Sequence, residues 1–395
     1  MTRLTNTVVA MLLLSPVVAF AGPDYDEIAA NLVNQSLSVQ PGEVIQISGT
    51  PDQMELISAT YVAVAKAGGE PIVTLNLPEA TKRAMMESDI KHLERTSTAP
   101  VLLTKIIDGF ISVASVQDPD LFADVPEERL AAIRRAGTPV NHVFRNAKFR
   151  SVSLGQTGGI PTEGYAATIG ADADDMRAMF WKALAVSPQQ INDAAAIVNG
   201  MLSPGVDIHV ESDLGTDLRF RIADNAPRVN AGRTTDVEVA VGPRQVWLPA
   251  GEAYAIVEPG SAQGTLVVRK AMFRGKPIEN LKLRFDNGRL TDVDGKGASM
   301  LEDFFASSDE ASSMLSVVDI GLNPHSQTPR GSDYMSWEMG GMVTLVIGNN
   351  AWAGGDNGGD GSFSVHVPGA SVAAGGSRLT ANGQLPSHVM AVYKR

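Results

Sequence analysis

The chain has 395 residues, 44% of them hydrophobic and 19% charged, with a net charge of −12 and no cysteine. That is more chain than one hydrophobic core ordinarily serves, so two soluble domains are expected. Both halves, divided near residue 205, are acidic, which argues against nucleic acid and anionic membranes as partners. The lack of cysteine excludes disulfides, thiolate ligands and thiol nucleophiles.

The first residues read as an export signal. Arg3 supplies a cationic start, Val8 to Phe20 is an apolar run broken by Pro16, and Ala19-Phe20-Ala21 offers a small-x-small cleavage site. The expectation is a leader over 1–21, cleavage near Ala21 and a periplasmic or extracellular mature protein. No later stretch is long and apolar enough to be read as a membrane span.

From residue 22 to 204 the pattern alternates between strand and helix. Residues 24–40 have helical spacing (Ile28, Leu32, Leu37) up to Pro41-Gly42. A strand is expected over 43–48, a helix over 53–67, a strand over 71–75, further strands over 99–103 and 110–116, a helix over 127–136 and another over 174–186. This alternation predicts an α/β domain built on a mostly parallel sheet. After Ser203-Pro204-Gly205 the texture changes to short strands punctuated by Gly, Asn and Asp. Strands are expected over 206–210, 217–222, 238–240, 264–268, 282–285, 289–292, 317–321 and 342–347, with helices only over 299–307 and 309–315. The second domain, 205–395, is therefore expected to be a β-rich α+β unit. The stretch 354–361 is a polar glycine-rich loop.

Four side chains stand out in the second domain. Glu252 follows the Pro249-Ala250-Gly251 bend within Trp247–Tyr254, where its plain reading is a solvated carboxylate at a strand start. Asp319 sits inside the apolar strand 317–321, where an unpaired charge is costly unless the position is an edge facing water. His325 follows a Gly-Leu-Asn-Pro turn. His366 follows the glycine-rich loop in 362–367, with Ser364 on the same strand face. Together they form the oxygen and nitrogen ligand set that the second domain offers a metal. The chain lacks the G-x-S-x-G, Walker and H-E-x-x-H patterns, so serine-hydrolase, P-loop and zincin chemistry have no support.

In order and spacing, several short motifs resemble the aminopeptidase T family of thermophilic metallo-aminopeptidases over nearly the whole mature chain. They are Leu32-Val33 with Ser36 to Glu43, Gly215-Thr216-Asp217-Leu218, Leu248 to Glu252, Gly264-Thr265-Leu266, Leu283 to Arg289, Ile320 to Pro324, Gly340-Gly341, and Gly354-Gly355-x-Asn357 before His366. The resemblance implies a homodimer that removes N-terminal residues from peptides with two divalent metals (zinc, cobalt or manganese) held by two glutamates, two histidines and an aspartate. Glu252 and His366 match two of these positions, while Val317, Thr344 and Pro368 stand at the other three. Asp319, two residues along the strand from Val317, is the candidate replacement ligand or catalytic base, with His325 as an added ligand. The sequence therefore leans towards a metal-dependent peptide hydrolase. Two rivals are a non-catalytic family member that binds peptides or proteins, and a non-haem iron dioxygenase of the dihydroxypyridine type, which needs two histidines and a carboxylate on one metal.

Overall fold

A computed structural model describes residues 23–145, 149–155, 159–234 and 245–394. The leader and the strand expected over 238–240 lie outside these residues. In chain order the strands are β1 (Val44–Gly49), β2 (Glu70–Leu75), β3 (Gly109–Val113), β4 (Arg150–Leu154), β5 (Asp207–Glu211), β6 (Asp217–Arg221), β7 (Arg228–Asn230), β8 (Gln245–Leu248) and β9 (Glu252–Ile256). They continue as β10 (Gln263–Phe273), β11 (Lys276–Asp286), β12 (Arg289–Lys296), β13 (Leu315–Gly321), β14 (Val343–Gly348), β15 (Ser362–Val367), β16 (Ser371–Ala374) and β17 (Ser377–Thr380).

The first sheet has the order β2-β1-β3-β4-β8, and every pairing in it is parallel. Its dry face is aliphatic: Ile45, Ile47, Ile111, Val113, Val152 and Leu154 are buried with Leu56, Ile57 and Val64 of the helix Met54–Lys66. This is the α/β part expected from the alternating pattern. The last strand, β8, comes from beyond residue 205, so the chain returns to the parallel sheet before Pro249-Ala250-Gly251 carries it out again.

The remaining strands form two antiparallel sheets, β12-β11-β10-β6-β5-β16-β17 and β15-β14-β13-β9-β7. Their facing apolar side chains share one large core with Ala194, Ala195 and Val198 of the helix Pro188–Met201. The β-rich part is as expected in kind, and two of its strands run well beyond their apolar centres; β10 and β11 each span 11 residues.

Three local expectations are corrected. Residues 98–103 (Thr98–Leu103) form a helix rather than a strand; a short apolar run does not reveal its period. The helix from Glu127 continues to Arg145 through Gly137 and Pro139, which the sequence suggests should stop it. Helix was expected to 315, but Glu310–Ser313 is a single 3-10 turn capped by Asp309, and Leu315 already begins β13.

Candidate functional site

The site is a face of the sheet β15-β14-β13-β9-β7. Cross-strand partners in an antiparallel ladder project to the same side, as do residues two apart on one strand. The register gives the row Arg228–Tyr254–Asp319–Thr344–His366 across all five strands. Beside it lies Asn230–Glu252–Gly321, and on the other side Ile256–Val317–Val346–Ser364. Glu252, Asp319 and His366 are thus brought to one face, together with Val317 and Thr344.

Glu252 begins β9 at the junction between the parallel and antiparallel sheets. Gly251 precedes it at φ +134, and a Cβ there would lie 2.8 Å from the backbone nitrogen of Asn323. Asn323 locks the junction by donating from Nδ2 to the carbonyls of Ala250 at 2.7 Å and Ala183 at 2.9 Å. The plain reading of Glu252 as solvated is overturned: the residue is 3% exposed and accepts a 2.7 Å bond from Asn230 Nδ2. The same amide nitrogen reaches the Trp247 carbonyl at 2.8 Å, so Asn230 ties the carboxylate to the last strand of the parallel sheet.

Asp319 is not at an edge either. It lies on the middle strand, is 1% exposed, and its Oδ1 has no hydrogen-bond partner. Burial, with the nearby carboxylates of Glu252 and Glu338, pushes its pKa well above the usual carboxylate range. His366 Nδ1 lies 2.8 Å from Thr344 Oγ1, and burial pushes its pKa down to about 4, so its ring is neutral at pH 7. His325 lies in the turn after β13 rather than on the sheet. Its backbone N–H donates to Asn323 Oδ1 at 3.0 Å, and burial and the charge of Lys182 lower its pKa.

The segment after β13 arches back over this face. Gly321 has no room for a Cβ because the carbonyls of Trp337 and Met339 press on it. Glu338, 2% exposed, accepts a 2.8 Å bond from Ser326 and another from the Ser336 hydroxyl, while burial raises its pKa. The ring of Trp337 stands edge-on to His366 at 5.8 Å and to Trp352 at 5.9 Å. Trp352 lies 5.5 Å from Tyr254 and 5.6 Å from Trp247. Tyr254, Trp337 and Trp352 pack with Val317 and Val346. Glu338 was missed by sequence reasoning; the available signal was a lone acid between Trp337 and Met339, flanks too bulky for an ordinary solvated loop. The two cavities described, about 660 and 480 Å³, are lined by neither Glu252, Asp319, Glu338 nor His366.

The sequence model of a family described as thermophilic metalloprotease (M29) matches residues 23–330. The chain belongs to this family. It is 23% identical over 309 residues to "Aminopeptidase AmpS" of Bacillus subtilis (strain 168), covering 72% of this chain and 74% of that protein. Its fold is similar to that of wild-type AmpT from Thermus thermophilus, with a TM-score of 0.69 at 14% identity over 91% of this chain and 98% of that one. A 2,5-dihydroxypyridine dioxygenase from Pseudomonas putida KT2440 shares the fold less closely, with a TM-score of 0.53 at 15% identity over 92% and 97% of the two chains.

Family membership implies a divalent metal, and the residues on this face do not fit a metal pair. Among the described residues no group of three or more His, Asp or Glu is arranged to hold a metal ion. Val317 brings an apolar side chain into the middle of the face, and Thr344 is bonded to His366. A pair of dications about 3.5–4 Å apart needs bridging anionic oxygen, which Val317 cannot provide. Among the described residues no helix is long and apolar enough to cross a membrane.

Proposed function

We propose that this chain is a non-hydrolysing, peptide-binding member of the M29 family, exported by its leader, in which two-metal peptide hydrolysis has been given up. The sequence leans towards the hydrolase; the site geometry favours its non-catalytic rival. One observation carries the reading: Val317 and Thr344 stand on the same sheet face as Glu252 and His366, at two positions where the family resemblance calls for ligands. The two donors that remain have protein partners, Asn230 for Glu252 and Thr344 for His366. The peptide as ligand class is taken from the aminopeptidase relatives.

The dioxygenase reading loses support on the same ground, because it needs two histidines and a carboxylate on one ion and the face offers His366 alone. The test is turnover of amino-acid anilides by the mature chain supplied in turn with zinc, cobalt and manganese. The expected result is no release above that of a Glu252→Ala, His366→Ala double variant. Metal-dependent release abolished by those substitutions would refute the proposal.

A further inference from the structure

The parallel sheet ends on one side at β2, and among the described residues no strand pairs with the outer side of β2. The Glu70 N–H donates to the Glu43 carbonyl at 2.7 Å and the Asn76 N–H to that of Gly49 at 2.9 Å, so the even-numbered residues of this stretch bond inwards to β1 and its approach. The odd-numbered ones, Pro71, Val73, Leu75 and Leu77, therefore turn their backbone groups outwards. Their side chains lie on the face that the helix Met54–Lys66 covers, since Val73 pairs with the buried Ile47 of β1. Val73, Leu75 and Leu77 are nevertheless 38–46% exposed, as are Met54, Tyr61 and Val62 on that helix. From Pro71 to Leu77 there is no charged residue. Edge strands that stay unpaired are ordinarily blunted by charge, as β12 is by Asp292, Asp294 and Lys296.

We propose that β2 is the docking edge for a second copy of this chain, joined about a two-fold axis at Thr74 so that two five-stranded sheets become one continuous sheet. What selects this occupant is that the edge complements itself. In an antiparallel ladder centred on Thr74, Val73 of one copy meets Leu75 of the other, and each such pair exchanges both of its backbone bonds. Further out, Pro71 meets Leu77. Proline has no N–H to give, and the Leu77 carbonyl already accepts from the Thr81 N–H at 2.8 Å. The bond that remains to this pair, from the Leu77 N–H to the Pro71 carbonyl, is the one it is able to make, so no backbone group is stranded. Moving the axis to Val73 would set Pro71 against Leu75, whose carbonyl would then face no donor. The side chains agree with the Thr74 register: Val73 packs on Leu75 and Pro71 on Leu77, while Glu70 falls opposite Pro78 and not opposite another acid.

The chain has no cysteine, so single introduced cysteines report the register. A residue on the axis, between bonded pairs, has its Cα about 4.5 Å from that of its own copy, within the disulfide span of about 4.4–6.8 Å. Thr74→Cys in the mature chain should therefore run as a covalent dimer on a non-reducing gel after mild oxidation. Ile72→Cys, whose two copies would lie about 13 Å apart along the ladder, should not. Leu75→Pro removes an outward N–H and no bond to β1; it should give half the wild-type mass in light scattering with an unchanged far-ultraviolet circular dichroism spectrum. Val73→Lys should do the same and serves if the proline variant does not fold. An assembly that keeps its mass in both variants uses another surface and overturns the inference, as does equal cross-linking of the two cysteine variants. A monomeric wild type would also overturn it, and would leave the edge to an extended segment of another protein.

Discussion

Replacing Asp319 with asparagine should stabilise the protein at alkaline pH and do little at acidic pH. In the folded chain the Asp319 carboxyl is buried, faces two further carboxylates and has an oxygen without a partner. Its pKa is raised, so the folded state binds a proton more tightly than the unfolded chain, where aspartate titrates at about 3.9. The contribution of such a group is fully present below the ordinary carboxylate range and is lost as pH rises from there through the folded value. Near pH 8 the native state therefore either holds a proton against the solvent or buries a charge beside like charges. Asparagine has the same shape and no charge. The substitution keeps a polar group at the site and removes the buried charge, whose desolvation costs about 1–3 kcal/mol or more, so Asp319→Asn should raise the unfolding free energy by about that amount at pH 8 and leave it within about 0.5 kcal/mol of wild type at pH 4. Urea denaturation at the two pH values, with slopes compared to confirm that the same surface unfolds, gives both numbers. A loss of stability at pH 8 as large as that at pH 4 would show that the carboxylate makes a favourable native contact, and the electrostatic description of the face would fall.

Other perturbations probe the same region. His366 titrates in the opposite sense: a base whose pKa is pushed down to about 4 stabilises the fold above the unfolded value near 6.5 and loses that contribution as pH falls. Denaturation between pH 7 and 4 should show wild type losing up to about 3 kcal/mol relative to His366→Gln; parallel curves would contradict the burial of the ring. Val317→Glu puts a carboxylate among Tyr254, Ile256 and Val346 and should cost about 3–5 kcal/mol without metal. Recovery of that loss on adding zinc would show a latent metal site. Gly321→Ala forces the Trp337 and Met339 carbonyls away and should destabilise by about 2–4 kcal/mol while altering tryptophan emission; a neutral result would mean that the arch does not rest on β13. The homodimer implied by the family resemblance should appear in light scattering as twice the mass of one mature chain, and a monomeric mass would remove it.

The kind of each part of the fold was legible from periodicity. Apolar residues recur at strand and helix spacing from 44 to 201, and the switch after Ser203-Pro204-Gly205 to short alternating runs marks the antiparallel sheets. The return of β8 to the parallel sheet was not legible, because Gln245–Leu248 is four residues long and pairing partners leave no local trace. The site was half legible. A charge inside the apolar run 315–321 marks Asp319, but whether that strand is central or at an edge is decided by β9 and β14, which lie far away in the chain. Glu252 looked solvated because the bend before it suggested a surface turn. The bend is instead a junction covered by Asn323, a contact across more than 70 residues. Ser336 is a local partner of Glu338, two residues away, but Ser326 and the sheet face reach it only when the arch folds back, so no spacing rule marks Glu338 as part of the site.

The central claim, that the Glu252–Asp319–His366 face does not carry the family's metal pair, is tested most directly by metal stoichiometry. The mature chain is dialysed against excess zinc, freed of unbound ion and measured by inductively coupled plasma mass spectrometry beside Glu252→Ala. The account predicts far less than one zinc per chain in both proteins. One or two zinc ions per wild-type chain, absent from Glu252→Ala, would contradict it.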